Sequence, residues 1–108
     1  MNIVKKRNKA FIKIFLDEGD FVTGEKIYNN LSNILPMIQE GFEVEIKISN
    51  KDTISISIYQ LFVRFIQKIK KRDSKVTLIL SEPLKELFHH VQFFEFFTDI
   101  ECKSETMQ

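Results

Sequence analysis

A helix pattern between two strand patterns near the middle of the chain constrains the fold more than any other feature. Residues 42–48 alternate apolar and polar side chains, and residues 75–80 (KVTLIL) are typical of a buried strand. Between them, apolar residues recur at steps of three and four, which places them on one face of an α-helix. These residues are Ile54, Ile58, Leu61, Phe62, Phe65 and Ile69. The order strand, helix, strand predicts an α/β layered domain.

The start of this helix is ambiguous in the sequence. Residues 53–58 (TISISI) also alternate at the period of two that marks a half-buried strand. A strand interpretation leaves residues 59–66 without such order and needs about fifteen residues, well beyond the usual strand length. We therefore predict a helix that begins within the stretch. Asp52, Thr53 and Ser55 are all plausible caps, and Ser55 is favoured as the N-cap or the last loop residue.

At 100° per residue, a stripe of polar side chains follows this helix over roughly a quarter of its circumference. Its members are Ser57, Gln60, Arg64, Gln67, Lys68 and Lys71. Ser57 lies in the first turn, where a phosphate meets free backbone N–H groups and the positive end of the helix dipole. Ser57 is therefore a candidate phosphoacceptor. An ordinary first-turn serine is the alternative on this pattern alone.

The N-terminal third of the chain predicts two strands and a helix. Residues 2–6 and 10–16 have strand character, and the polar residues between them fit a hairpin connection. Thr23 is a good N-cap for a helix that runs from about residue 24 into the high thirties. Pro36 lies inside that pattern and is expected to kink or shorten the last turn.

The C-terminal part of the chain predicts a short helix and a last strand. Ser81 followed by Pro83 is typical of a helix start, and the Phe-rich residues 93–97 are expected to contain the strand. The tail from about Glu101 is polar and expected to be loose. The whole sequence thus predicts one α/β domain over residues 1–108, with a mixed sheet of about four to five strands and three to four helices.

Composition excludes several classes of protein. The formal net charge of +1 over 108 residues argues against a dedicated nucleic-acid binder. A single cysteine excludes an internal disulfide framework and a paired-cysteine zinc or redox motif. No stretch approaches the roughly twenty apolar residues of a membrane span, and the N-terminus lacks the apolar segment of a signal peptide. We therefore expect a cytoplasmic protein without a membrane span.

No residue pattern indicates a catalytic site, a metal site or a cofactor site. His89 and His90 are adjacent, so on a helix they point apart, and no third ligand is suitably spaced. Cys102 has no plausible base nearby. The glycines do not form a phosphate-cradling loop. We therefore expect a protein that is not an enzyme and holds no cofactor or metal.

The Phe-rich closing segment has two interpretations. Its residues are Phe88, Phe93, Phe94, Phe96 and Phe97. They form a partner or dimer surface if they exceed what the core can cover, or they close the end of the sheet. A monomer or weak dimer is expected.

Five stretches in this order resemble the STAS domain family, named for sulphate transporters and anti-sigma factor antagonists, over nearly the whole chain. They are VEIKIS (44–49), SISIYQL (55–61), KVTLIL (75–80), SEPLKELF (81–88) and FFEFF (93–97). In that family a D-S-S-G-like motif starts the helix after the IKIS-like strand. Here Ser55 stands at the Asp position, Ile56 at the first Ser or Thr, Ser57 at the phosphorylated serine and Ile58 at the Gly.

The resemblance implies a regulatory module that docks on an anti-sigma factor acting as a serine kinase, with phosphorylation of Ser57 weakening the complex. The implied docking surface is the loop before Ser57 and the first turns of its helix, formed by Asp52, Thr53, Ser55, Ser57, Gln60 and Arg64. Family members without the full motif serve as unphosphorylated scaffolds. The alternative is therefore an assembly subunit of a signalling or lipid-transport complex.

Overall fold

Two consecutive strands are followed by helices and strands that alternate along the chain. The computed structural model describes residues 2–6, 10–49, 51–93 and 100–104. The strands are β1 (Asn2–Lys6), β2 (Phe11–Leu16), β3 (Glu43–Ile48), β4 (Lys75–Leu80) and β5 (Ile100–Ser104). The α-helices are α1 (Gly24–Ile34), α2 (Ile56–Lys70) and α3 (Glu82–His90), and 3-10 turns occur at Glu18–Phe21 and Leu35–Met37.

The five strands form one mixed sheet in the order β1-β2-β3-β4-β5. The hairpin partner β1 runs antiparallel to β2, and the strands from β2 to β5 are parallel to one another. Along one row of the sheet, Ile14 of β2 lies beside Ile46 of β3, which lies beside Leu78 of β4. The α/β layered fold with a mixed sheet, predicted from the sequence, is confirmed.

The helices lie on one face of the sheet. Consecutive parallel strands that are neighbours in the sheet are joined by right-handed crossovers, and such crossovers put α1, α2 and α3 on the same side. A single cluster of buried apolar side chains joins that face to all three helices. Its fully buried members include Ile12, Ile14, Ile46, Leu78, Ile27, Ile34, Phe62, Ile66, Leu84 and Phe88.

The opposite face carries charged side chains among apolar ones. Lys13 Nζ lies 3.5 Å from Glu45 Oε1 and 5.0 Å from the centre of the Phe15 ring. Ile79 on β4 is buried but does not belong to the core cluster, which fits its position on this second face. The main core therefore lies entirely between the sheet and the helices.

No helix in the described part of the chain is both long enough and apolar enough to cross a membrane.

The limits of α1 follow from its caps. Thr23 Oγ1 accepts a hydrogen bond from the Lys26 N–H at 3.0 Å, as expected of an N-cap. The helix ends at Ile34, and Pro36 lies in the following 3-10 turn. Pro36 therefore shortens the helix as predicted, because it supplies no N–H for the next turn.

The predictions for the C-terminal part were partly wrong. The last strand in the described residues is β5, at Ile100–Ser104, and it pairs in parallel with β4. The expectation of a loose tail from Glu101 is therefore wrong for Glu101–Ser104. In β5, buried or half-buried residues alternate with exposed ones. Pairing with β4 and contact with the core therefore stabilise a strand whose own sequence has few apolar residues. Of residues 93–97, which were predicted to contain the last strand, Phe93 lies in no strand and the other four lie outside the described residues.

Two of the closing phenylalanines belong to the core. Phe88 and Phe93 are fully buried, with ring centres 4.7 Å apart. Tyr59 meets both rings edge to face, and its hydroxyl donates to the Val91 carbonyl at 3.4 Å. These two residues are therefore buried inside the domain and are not exposed as a partner or dimer surface. Phe94, Phe96 and Phe97 lie outside the described residues.

Arg72 ties the end of α2 to the end of α1. Its Nη1 donates to the carbonyl oxygens of Leu35 and Ile38 at 2.7 and 2.6 Å. Carbonyl groups at the C-terminal end of a helix carry partial negative charge, so a guanidinium is a favourable donor there. The Arg72 carbonyl in turn accepts from the Gly41 N–H at 2.9 Å. Gly41 has a φ of 79°, a left-handed conformation that favours glycine.

Replacing Arg72 with methionine is expected to lower the free energy of unfolding by about 2–3 kcal/mol, because two carbonyl groups lose a charged donor. Lys71→Met removes a neighbouring exposed cation and is expected to cost less than about 1 kcal/mol. Urea denaturation followed by circular dichroism measures both. Equal midpoints for the two variants would contradict the assigned role of Arg72.

Candidate docking site at the start of α2

The loops that follow β2, β3 and β4 meet at one edge of the sheet, because the carboxyl ends of parallel strands lie together. The Ser49 N–H donates to the Leu16 carbonyl at 2.8 Å, which joins the ends of β2 and β3. Ser81 Oγ donates to the Lys51 carbonyl at 2.9 Å. Lys51 Nζ lies 6.0 Å from the centre of the Phe21 ring. These contacts hold the segment before α2 from both sides.

The helix begins at Ile56, with Ser55 as its N-cap. Ser55 has extended backbone angles, and its Oγ accepts from the Ile58 N–H at 3.2 Å. Its carbonyl accepts from the Tyr59 N–H at 2.9 Å, the first bond of the helix. The prediction that a helix begins within TISISI, capped by Ser55, is confirmed. The other two cap candidates, Asp52 and Thr53, lie exposed in the preceding loop.

Ser57 is exposed in the first turn of α2. In the part of the chain that the structure describes, the Ile56 and Ser57 N–H groups form no hydrogen bond. These groups point toward the N-terminal end of the helix, where its dipole is positive. Ile58 is 8% exposed and packs into the core, so its side chain leaves the Ser57 hydroxyl open.

All six residues predicted to bind a partner are exposed. They are Asp52, Thr53, Ser55, Ser57, Gln60 and Arg64. The first three lie in the loop and at the cap, and the last three follow one another along successive turns of α2. We call this set, together with Ile56, the α2-start surface. The rest of the predicted polar stripe, Gln67, Lys68 and Lys71, is exposed as well.

Two exposed apolar side chains at this edge were not among the predicted site residues. Ile56 is 74% exposed and directly precedes Ser57, and Val22 is 72% exposed in the loop after β2. Large apolar side chains with such exposure are candidates for contact with a partner. The exposure of Ile56 could have been predicted from its angular position on the helix, which lies beside the polar stripe and away from Ile58, Phe62 and Phe65. No sequence signal marked Val22.

Replacing Ser55 with alanine is expected to lower the free energy of unfolding by about 0.5–2 kcal/mol, since the Ile58 N–H loses its acceptor. Ser57→Ala is the matched control, because the Ser57 side chain makes no hydrogen bond within the described residues. Its expected effect is within about 0.5 kcal/mol. Chemical denaturation distinguishes the two, and equal losses would show that Ser55 is not the cap that matters.

The acidic turn after β2 is a structural element. Asp17 and Asp20 cap the 3-10 turn at Glu18–Phe21 reciprocally. Asp20 is buried, and its carboxylate accepts from the Asp17 N–H at 3.0 Å and from Asn30 Nδ2 at 3.2 Å. An acidic run before a helix cap is typical of a solvated turn, but Asp20 is not solvated, because these donors replace water around its carboxylate.

The remaining candidates for chemistry do not converge. His89 and His90 are exposed at the end of α3, and the described residues contain no group of three or more His, Cys, Asp or Glu side chains placed to hold a metal ion. Burial raises the pKa of the Cys102 thiol above its ordinary value, with Lys85 opposing this shift and Glu82 adding to it. A raised pKa favours the protonated thiol, which is a poor nucleophile.

Comparison with known proteins adds no assignment: no protein-family model, no curated protein sequence and no solved structure matches the chain.

Proposed function

We propose that this chain is a non-enzymatic regulatory module of the cytoplasm that docks on a protein partner through the α2-start surface. The observation that carries the proposal is the exposed Ser57 hydroxyl beside two N–H groups that form no hydrogen bond within the described residues. Ser57 also stands where the STAS-like stretch SISIYQL has its phosphorylated serine. The partner class that this resemblance supplies is an anti-sigma factor that is also a serine kinase.

Phosphorylation of Ser57 has opposite effects on the free protein and on the complex. In the free protein the phosphate gains the N–H groups of Ile56 and Ser57 and the positive end of the helix dipole. In the complex it brings a charge of about −1.5 to −2 into a surface that contains the apolar Ile56 side chain. Burying that charge costs desolvation energy and repels any acidic group of the partner. Phosphorylation therefore releases the partner.

The second candidate function is an unphosphorylated scaffold or assembly subunit. A specific observation favours it: Ser55, Ile56 and Ile58 stand at the Asp, Ser or Thr, and Gly positions of the family motif. Ile56 offers 74% of its surface to solvent, a property that suits a permanent apolar contact. A scaffold of this kind binds its partner in one state and carries no phosphate at Ser57.

Affinity capture from the native cell tests the proposed function. Wild type, Ser57→Asp and Ser57→Ala are used as baits, and partners are identified and quantified by mass spectrometry. We expect a kinase of the anti-sigma type with wild type and Ser57→Ala, and at least tenfold less of it with Ser57→Asp. Recovery of one stoichiometric complex in equal amounts with all three baits would contradict the switch and support the scaffold.

A further inference from the structure

A groove runs between α1 and α2 on the side of the helix layer that faces solvent. It contains a cavity of about 190 Å³ that is partly open to solvent. Its floor is apolar and includes Leu35, Leu61 and Phe65, of which Phe65 is buried and the two leucines are partly exposed. Tyr28, which is 56% exposed, forms part of the rim.

Two cations stand on the α2 side of this rim. Arg64 and Lys68 are one turn apart on α2, and both are exposed. Neither forms a salt bridge or a side-chain hydrogen bond within the described residues. Among the described residues, no acidic side chain lines the groove. An unneutralised pair of cations beside an apolar floor is complementary to an anionic group attached to an apolar one.

The volume restricts what the floor accommodates. Small-molecule sites commonly enclose about 300–1,000 Å³, whereas a cavity of about 150 Å³ is enough for a benzene ring. A cavity of about 190 Å³ therefore suits one aromatic or branched aliphatic side chain. A partner helix that binds in the groove carries further side chains one turn away on the same face. Carboxylates at those positions of the partner reach the cations on the rim.

We infer that the α1–α2 groove receives an acidic amphipathic segment of a protein partner, with one large apolar side chain on the floor and carboxylates on Arg64 and Lys68. The inference rests on the proposed function in one respect: the groove continues the α2-start surface through Arg64. Ser57 lies four residues before Leu61 on the same flank of α2, about 6 Å along the helix axis. A phosphate on Ser57 thus adds negative charge at the end of the groove and opposes an acidic segment.

The test begins with selection of phage-displayed random 12-residue peptides on the purified chain. Enriched peptides are synthesised with a fluorescent label, and their Kd values are measured by fluorescence polarisation. The variants are Arg64→Glu, Lys68→Glu and Leu61→Ala. Lys71→Glu is the matched control, since it reverses an exposed charge on the polar stripe outside the groove. Decanoate is added as a competitor, because an anionic lipid chain has related chemistry.

The inference predicts enriched peptides with net negative charge and at least one large apolar residue. Their Kd values are expected to rise at least tenfold with Arg64→Glu or Lys68→Glu and less than twofold with Lys71→Glu. Failure to enrich acidic peptides, or equal Kd values for Lys68→Glu and Lys71→Glu, would overturn it. Displacement of the peptide by micromolar decanoate would overturn it as well and indicate a lipid-chain site.

A separate measurement distinguishes the test of the groove from the test of the phosphorylation switch. The same peptides are titrated against Ser57→Asp. Loss of peptide binding in Lys68→Glu but not in Ser57→Asp supports the groove while removing its link to phosphorylation. If the selection enriches no acidic peptides but Ser57→Asp still reduces capture of the kinase, the inference about the groove is wrong and the proposed function is retained.

Discussion

Replacing Phe88 with alanine is expected to lower the free energy of unfolding by about 3–5 kcal/mol. Phe88 is fully buried, and its ring lies within about 6 Å of three other rings, with centre-to-centre distances of 4.7 Å to Phe93, 6.0 Å to Phe62 and 6.1 Å to Tyr59. Truncation leaves a cavity and removes these ring contacts. The loss is a large share of the roughly 5–15 kcal/mol that stabilises a typical domain.

Urea denaturation, with tyrosine fluorescence and circular dichroism as independent probes, measures this loss. His90→Ala is the control, because His90 is an exposed residue on the same helix. Phe88→Leu keeps most of the apolar volume and is expected to cost less than Phe88→Ala. A Phe88→Ala variant within about 1 kcal/mol of wild type would contradict the assignment of this residue to the core.

Replacing Ile56 with alanine is expected to weaken binding of the captured partner by about 2 kcal/mol or more, which corresponds to a Kd roughly 30-fold larger. Ile56 is 74% exposed in the free chain, next to Ser57 in the middle of the α2-start surface. A large apolar side chain that becomes buried on docking typically carries much of the binding energy. Because alanine favours the helix, the fold is expected to keep its stability.

Calorimetric titration of the captured partner measures the effect. Val4→Ala is the matched control, since Val4 is another exposed branched aliphatic residue and lies on the edge strand β1, far in sequence from α2. We expect its Kd to equal that of wild type. Equal Kd values for Ile56→Ala and wild type would show that the partner docks elsewhere.

The start of α2 was predictable because several local signals agree there. Ser55 offers a cap, the apolar residues after it keep helical spacing, and the polar stripe is contiguous. The two-residue alternation of TISISI misleads only while it is taken alone. In the structure, Ser55 accepts the Ile58 N–H and the helix runs for 15 residues from Ile56.

The strand β5 was missed because its stability comes from its neighbours. Its sequence, IECKS, has one large aliphatic residue and two charges, so local preference favours a loop. Parallel pairing with β4 places Ile100 beside Val76 and Cys102 beside Leu78, against the core. Interactions between distant parts of the chain decide this element, and a single sequence does not display them.

The candidate site was predictable where it depends on one helix. The exposure of Ser57, Gln60 and Arg64 follows from their angular positions on α2, and the structure agrees. The groove depends on how α1 packs beside α2, which brings Leu35 near Leu61. Periodicity within either helix contains no information about that approach, so the groove required the structure.

The most direct test of the proposed switch is the Kd of the captured partner for the chain with and without phosphate on Ser57. Phosphoserine is installed at position 57 during synthesis, full occupancy is verified by mass spectrometry, and both forms are titrated by calorimetry. We predict a Kd at least tenfold larger for the phosphorylated chain. An equal or smaller Kd for the phosphorylated chain would contradict the account.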